Sequence, residues 1–258
     1  MQNAAPYNSP LHRFFAPALD PGDDLVVLPK DEAEHATRVL RLSAGDEVSV
    51  FDGRGREFLG RIAAAARRDV QVQLLSRIDA APETAVPITL VQAVLKADKM
   101  DDVVRDAVML GAAAIQPVVT SRSETTVAAL SRAAKVERWQ RVALASVKQS
   151  RRAVLPEVRR PLTFENWIAE PRATLTMMLV EPGAMTETAE PFSRVRDEPP
   201  PADAAVMVGP EGGWAEAERT AARENGIRLM TFGQRTLRAD AVPVAVLSVL
   251  QFLWDSER

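Results

Sequence analysis

Between residues 69 and 75, apolar Val70, Val72 and Leu74 alternate with Gln71 and Gln73, the two-residue period of an antiparallel strand with one buried face. Segments 24–28, 47–52 and 57–63 have strand character and are separated by turns at Pro21-Gly22-Asp23, Ser43-Ala44-Gly45-Asp46 and Gly53-Arg54-Gly55. Residues 11–15, Leu-His-Arg-Phe-Phe, read as an opening strand with its aromatics in a core. One stretch departs from this rhythm. Across 31–42, Ala36, Val39, Leu40 and Leu42 recur at helical spacing, while His35, Arg38 and Arg41 share the other side. Short strands, turns and one helix predict a small β-barrel over residues 1–80.

The period changes after 81–87, a linker with two prolines and little to pack. Residues 88–95 are apolar except for Thr89 and Gln92, which suits a strand covered on both faces. A helix over 101–110, ended by Gly111, and a strand over 114–119 complete a parallel βαβ unit. Residues 133–149 predict one helix with Val136, Trp139, Val142, Ala143 and Val147 inward. Buried strands follow at 174–180 and 204–208, then a helix over 215–225 and a strand over 227–232. The acidic, proline-bearing stretch 185–203 predicts an exposed connection. Residues 242–254 carry no charge and predict a helix buried all round. Residues 88–258 are therefore expected to form an α/β domain with a mainly parallel sheet.

Composition narrows the chemistry. The chain is 47% hydrophobic and 26% charged, as ordinary globular proteins are. The absence of cysteine excludes disulfides, thiolate metal sites and cysteine nucleophiles, and two histidines exclude a histidine-rich centre, so no metal is expected. Residues 1–10 lack a signal-peptide pattern and no apolar run reaches the roughly 18 residues of a membrane span, so a cytoplasmic location is expected. A net charge of −3 argues against a uniformly basic coat, yet residues 96–160 hold 13 Lys or Arg against 7 Asp or Glu. In the first domain Arg38, Arg41, Arg54, Arg56, Arg61, Arg67 and Arg68 interleave with Asp46, Glu47, Asp52, Glu57 and Asp69. That pattern fits phosphate contacts or a solvated mixed surface, and no aromatic stacking platform accompanies it.

Two strands run directly into glycine. The first meets Gly209-Pro210-Glu211-Gly212-Gly213 and the second, through Phe232, meets Gly233. Such exits can share one edge of a parallel sheet, where α/β proteins bind ligands, although Gly-Pro-Glu-Gly-Gly alone is also an ordinary turn. Leu237-Arg238-Ala239-Asp240 sets a cation and a carboxylate just ahead of the last helix. Upstream, Arg151 and Arg152 stand beside Gln149 and Ser150, a combination suited to phosphate or a base edge.

These segments resemble a known family. Val208-Gly209-Pro210-Glu211-Gly212-Gly213, Phe232-Gly233-Gln234-Arg235-Thr236-Leu237-Arg238-Ala239-Asp240, Gly111 with Ile115-Gln116-Pro117, and Ser121-Arg122-Ser123 are similar to segments of the SPOUT class of RNA methyltransferases. Within that class the chain resembles the RsmE-type 16S ribosomal RNA uridine-N3-methyltransferases from Arg13 to about Leu250. The resemblance implies a PUA-like β-barrel that helps to hold RNA, followed by a trefoil-knotted α/β domain that holds S-adenosyl-L-methionine. It also implies that a first cofactor-facing loop leaves the strand ending at Val180-Glu181, that 16S ribosomal RNA or the small ribosomal subunit is the partner, and that the C-terminal domain forms a homodimer.

On that reading Val180, Glu181, Gly209, Pro210, Glu211, Gly212, Gly213, Phe232, Gly233 and Leu237 are the cofactor candidates, with backbone groups expected to matter more than side chains. Loss of the uridine N3 proton leaves negative charge on the uracil oxygens, and a positioned arginine can stabilise it. Arg238, with Asp240, is the catalytic candidate; a purely structural pairing of Arg238 with Asp240 or Glu211 is the alternative. Arg122, Arg151 and Arg152 are candidates for holding the nucleotide, and Arg38 and Arg41 for contacting RNA. A catalytically impaired relative that only binds RNA is the rival function. A nucleotide-binding enzyme unrelated to RNA is disfavoured by the absence of Gly-x-Gly-x-x-Gly and of a phosphate-loop lysine motif.

Overall fold

The computed structural model describes residues 11–255 apart from 21, 172 and 184–188. The chain divides into two compact units. The first holds the described residues up to Pro82 together with Lys148–Leu155; the second holds Glu83–Val147 and the described residues from Pro156 onward.

In the first unit β1 (His12–Phe15), β2 (Leu25–Val27), β3 (Glu47–Phe51), β4 (Glu57–Ala66) and β5 (Asp69–Ile78) form one sheet in the order β1-β3-β4-β5-β2. β1 runs parallel to β3 and the other pairs are antiparallel. The glutamine–valine alternation is obeyed, with Val70 and Val72 fully buried in a core shared with Phe14, Val26, Val48, Val50 and Ile62. The long β4–β5 ladder slips register at Leu59/Gly60 and at Ile62/Ala64, the bulges that let a strand bend around a core.

The expected helix over 31–42 is shorter. Helix α1 (Lys30–Glu34) passes into a single π-turn, His35–Val39, and Arg41 adopts a left-handed φ of 57°. The wider turn carries Val39 out of the inward face to 66% exposure, leaving Glu32, Ala33 and Ala36 as the buried residues of the helix.

Buried charge holds residues 148–155 in this unit. The Arg13 guanidinium donates to both oxygens of Glu57 at 2.8 Å and to the carbonyls of Lys148 at 3.0 Å and Arg152 at 2.9 Å. It also lies 4.8 Å from the Phe51 ring centre, and Ser49 donates to Glu57 at 2.7 Å. Nearby, burial works to raise the pKa of Asp52, but the amides of Arg54 and Arg56 and both guanidiniums outweigh it and hold the carboxyl below its ordinary range. A carboxyl depressed in the folded state contributes stability above its unfolded pKa, and that contribution is lost as pH falls through the folded value. The urea midpoint should therefore drop more steeply below about pH 4 in the wild type than in Asp52→Asn, as denaturation at several pH values would measure.

The second unit is built on parallel strands. They are β6 (Ile88–Ala93), β7 (Ala114–Val119), β8 (Glu157–Val158), β9 (Leu162–Thr163), β10 (Leu175–Val180), β11 (Glu190–Pro191), β12 (Ala204–Val208) and β13 (Arg228–Thr231). Their order is β11-β13-β10-β12-β6-β7-β8, with β9 also on β7, and every pair is parallel. The helices are α2 (Lys99–Met109), α3 (Val127–Arg132), α4 (Lys135–Ser150), α5 (Phe164–Ile168), α6 (Glu216–Glu224) and α7 (Val242–Asp255).

Three expectations change here. The helix expected over 133–149 starts anew after Ala134, whose φ of 48° breaks the run between α3 and α4. The stretch 185–203, of which 185–188 lie outside the described residues, is more than a connection. Its Phe192 and Val195 are buried in a 3-10 turn, and its Glu190 and Glu198 both grip Arg228. Finally, α7 is not buried all round. Pro243, Val246, Leu247, Leu250 and Trp254 pack inward, whereas Val244 is 37% and Phe252 74% exposed.

Candidate active site

Sheet order builds the site. In a parallel sheet all strands release their chain at the same edge, and β13, β10, β12 and β6 are consecutive neighbours. The segments after Thr231, Val180, Val208 and Ala93 therefore emerge side by side, followed by the one after Val119 on β7.

They enclose a cavity of about 370 Å³ within the second unit, in the size range of small-molecule sites. Its apolar wall is made by Leu179, Val180, Val208, Phe232 and Leu237, and the Gly209–Gly213 loop supplies backbone polar groups. Arg122, Glu181, Pro210, Glu211, Arg238 and Asp240 also line it, so most of the sequence candidates meet here. Gly233 does not line it.

Backbone demands explain the glycines. Gly213 has a φ of 66°, and a Cβ there would lie 3.1 Å from Glu181 Oε1. A Cβ on Gly209 would lie 3.1 Å from Trp214 Nε1, which donates to the Leu179 carbonyl at 2.9 Å and ties the glycine loop to the end of β10. Buried Glu218, in the first turn of α6, accepts from the amides of Ala215 and Ser121, each at 2.8 Å. The Arg122 guanidinium in turn donates to the Gly212 carbonyl at 2.6 Å.

Charge in the cavity is organised in pairs. Arg238 donates Nε and Nη2 to the two oxygens of Asp240 at 3.0 and 2.6 Å. This hydrogen bond holds the Asp240 carboxyl below its ordinary range against the opposing effect of burial. Glu211 accepts from Lys99 Nζ at 2.8 Å and from the Lys96 amide at 3.3 Å. Among the described residues Glu181 forms no ion pair or hydrogen bond, which leaves its carboxylate available to a cationic or hydroxyl-bearing ligand.

Lys99, Trp214, Arg219 and Arg235 line the cavity without having been singled out in the sequence. Lys99 could be found only by knowing that β6 neighbours β12. Arg151 and Arg152 part company. Both lie in the first unit, where Arg152 is 4% exposed and Arg151 is at the surface with a φ of 62°. Arg38 and Arg41 are exposed in the same unit, where Asp52 engages Arg54 and Arg56, and Arg61 and Arg68 pair with Glu47 and Glu34.

Known proteins resemble this chain over most of its length. A family profile described as an RNA methyltransferase domain matches residues 82–251, and one described as an RNA methyltransferase PUA domain matches residues 28–75. The ribosomal RNA small subunit methyltransferase E of Synechocystis is 32% identical over 233 residues, which cover 90% of this chain and 74% of that protein. The Aquifex aeolicus protein of the same name is 27% identical over 88% of this chain and 94% of its own. A crystal structure of ribosomal RNA small subunit methyltransferase E from Neisseria gonorrhoeae, bound to S-adenosyl methionine, has a TM-score of 0.83 at 27% identity, over 95% of this chain and 98% of that one. The similarity runs through both units, and the glycine-loop cavity falls within the domain match: the chain belongs to the ribosomal RNA small subunit methyltransferase E family of RNA methyltransferases.

Proposed function

We propose that this protein is an S-adenosylmethionine-dependent methyltransferase acting on N3 of a uridine in 16S ribosomal RNA, in the cytoplasm. The carrying observation is the single cavity into which the exits of β10, β12 and β13 open. Its residues fit the cofactor. An apolar wall from Val180, Phe232 and Leu237 suits the adenine, glycine-loop amides and carbonyls can read polar edges, and the Glu181 carboxylate suits a hydroxyl or an ammonium. When bound, the cofactor supplies an electrophilic methyl group.

The protein's own part is electrostatic. With Nε and Nη2 engaged by Asp240, Arg238 keeps Nη1 for an oxygen of the uracil ring, where charge accumulates as the N3 proton leaves. Asp240 thereby orients the guanidinium, and its lowered pKa makes it a weak base for that proton. Arg122 and the exposed arginines Arg38, Arg41 and Arg151 are assigned to RNA.

Among the described residues no helix is long and apolar enough to cross a membrane. The exposed stripe of α7, Val244 and Phe252, supports a homodimer through the C-terminal domain. Phe252→Glu should then give a monomer in sedimentation velocity at micromolar concentration.

Mass spectrometry of 16S ribosomal RNA from cells with and without the gene tests the reaction. A uridine N3 methyl group that disappears with the gene and is restored by the purified protein is expected. Binding of RNA and cofactor without transfer would instead leave an RNA-binding relative.

A further inference from the structure

Lys99 belongs to none of the loops that carry the glycine motif. It opens α2, just after Ala97, whose φ of 53° turns the chain between β6 and that helix. Because β6 lies beside β12, this turn faces the glycine loop, and one oxygen of Glu211 accepts from both Lys99 Nζ and the Lys96 amide. The two side chains are partly shielded, at 35% and 24% exposure, and both line the cavity.

Glu211 is thus held by the neighbouring strand's exit, and Pro210 and Gly212 on either side of it are cavity wall. Its carboxylate is therefore one fixed point of this loop. Asp240 is also within the field of Lys99, although its hydrogen bond from Arg238 is the larger influence on its charge.

We propose that Lys99 is a positioning residue for cofactor binding: its ion pair with Glu211 fixes the glycine loop whose backbone forms the cofactor cavity. The proposal rests on the methyltransferase reading above and gives Glu211 the part of a tether.

Pairing also neutralises a carboxylate and an ammonium on the wall of the cavity that would hold the cofactor. Two roles therefore make opposite forecasts. If the pair positions the loop, Lys99→Met weakens S-adenosylmethionine and the sulfonium-free S-adenosylhomocysteine alike. If Lys99 acts only through its charge, its loss leaves a carboxylate without its cation, which favours the sulfonium, and S-adenosylmethionine gains affinity relative to S-adenosylhomocysteine.

Isothermal calorimetry with both ligands on the full-length protein, with circular dichroism to verify folding, decides the matter. Lys99→Met and Glu211→Gln are each expected to weaken both ligands about tenfold, Lys99→Arg to stay within about twofold of wild type, and the double variant to be no weaker than the worse single one. Should Lys99→Met fail to fold, Glu211→Gln and Lys99→Arg carry the same test. Unchanged affinity for S-adenosylhomocysteine in the folded variants overturns the proposal, as does tighter S-adenosylmethionine binding in Lys99→Met. Wild-type protein that binds neither ligand overturns the methyltransferase reading itself, and this inference with it.

Discussion

Arg238→Ala should lower the rate of methyl transfer at saturating cofactor by about 10²–10³-fold, the usual loss when one preorganised donor to a developing anion is removed. The guanidinium is 75% exposed on its side chain, so its removal creates no cavity in the core and should shift the melting temperature by no more than about 2 °C. Asp240, 23% exposed, survives that change but loses the partner that orders it. Arg238→Lys preserves the charge yet cannot span both carboxylate oxygens, and it should recover only part of the rate. Single-turnover transfer to unmodified ribosomal RNA, alongside calorimetry for the cofactor, separates the outcomes. Wild-type turnover in Arg238→Ala would remove this residue from the chemistry and leave its ion pair as a structural contact.

The largest stability effect is expected at Glu57. This carboxylate is 5% exposed, receives two hydrogen bonds from Arg13 and one from Ser49, and faces a guanidinium that also holds the carbonyls of Lys148 and Arg152. Glu57→Ala removes the buried carboxylate that pairs with the part-buried Arg13 guanidinium, which costs about 3–5 kcal/mol. Replacing both partners, as Arg13→Met with Glu57→Leu, should cost less than Glu57→Ala alone, because no charge is then stranded. Urea denaturation followed by circular dichroism measures both. The same data test whether residues 148–155 are tied to the first unit, since proteolysis within that segment should accelerate in Glu57→Ala and not in Arg238→Ala.

Arg151 and Arg152 show how far adjacency in sequence can mislead. Side by side they suggest one RNA-contacting pair, but a backbone φ of 62° at Arg151 turns the chain so that its neighbour is buried. No local propensity announces such a turn at arginine, which the peptide geometry disfavours. The π-turn at His35–Val39 is similar: a helical hydrophobic pattern was present, and the widened turn sent Val39 to solvent.

The elements whose burial is unambiguous were legible in the chain's own pattern. The glutamine–valine alternation of β5, the apolar runs of β6, β10 and β12, and the glycine loop after Val208 follow from periodicity and from the backbone freedom of glycine, both local properties. Which strands lie next to one another, and with that which loops share a cavity, emerged only in the folded chain. Folding set β10 between β12 and β13, brought Lys99 to Glu211, joined residues 148–155 to the first unit, and left one face of α7 exposed. Those outcomes depend on contacts between residues far apart in the chain, whose free energy is fixed by the packing of the whole sheet and leaves no period in the sequence to read.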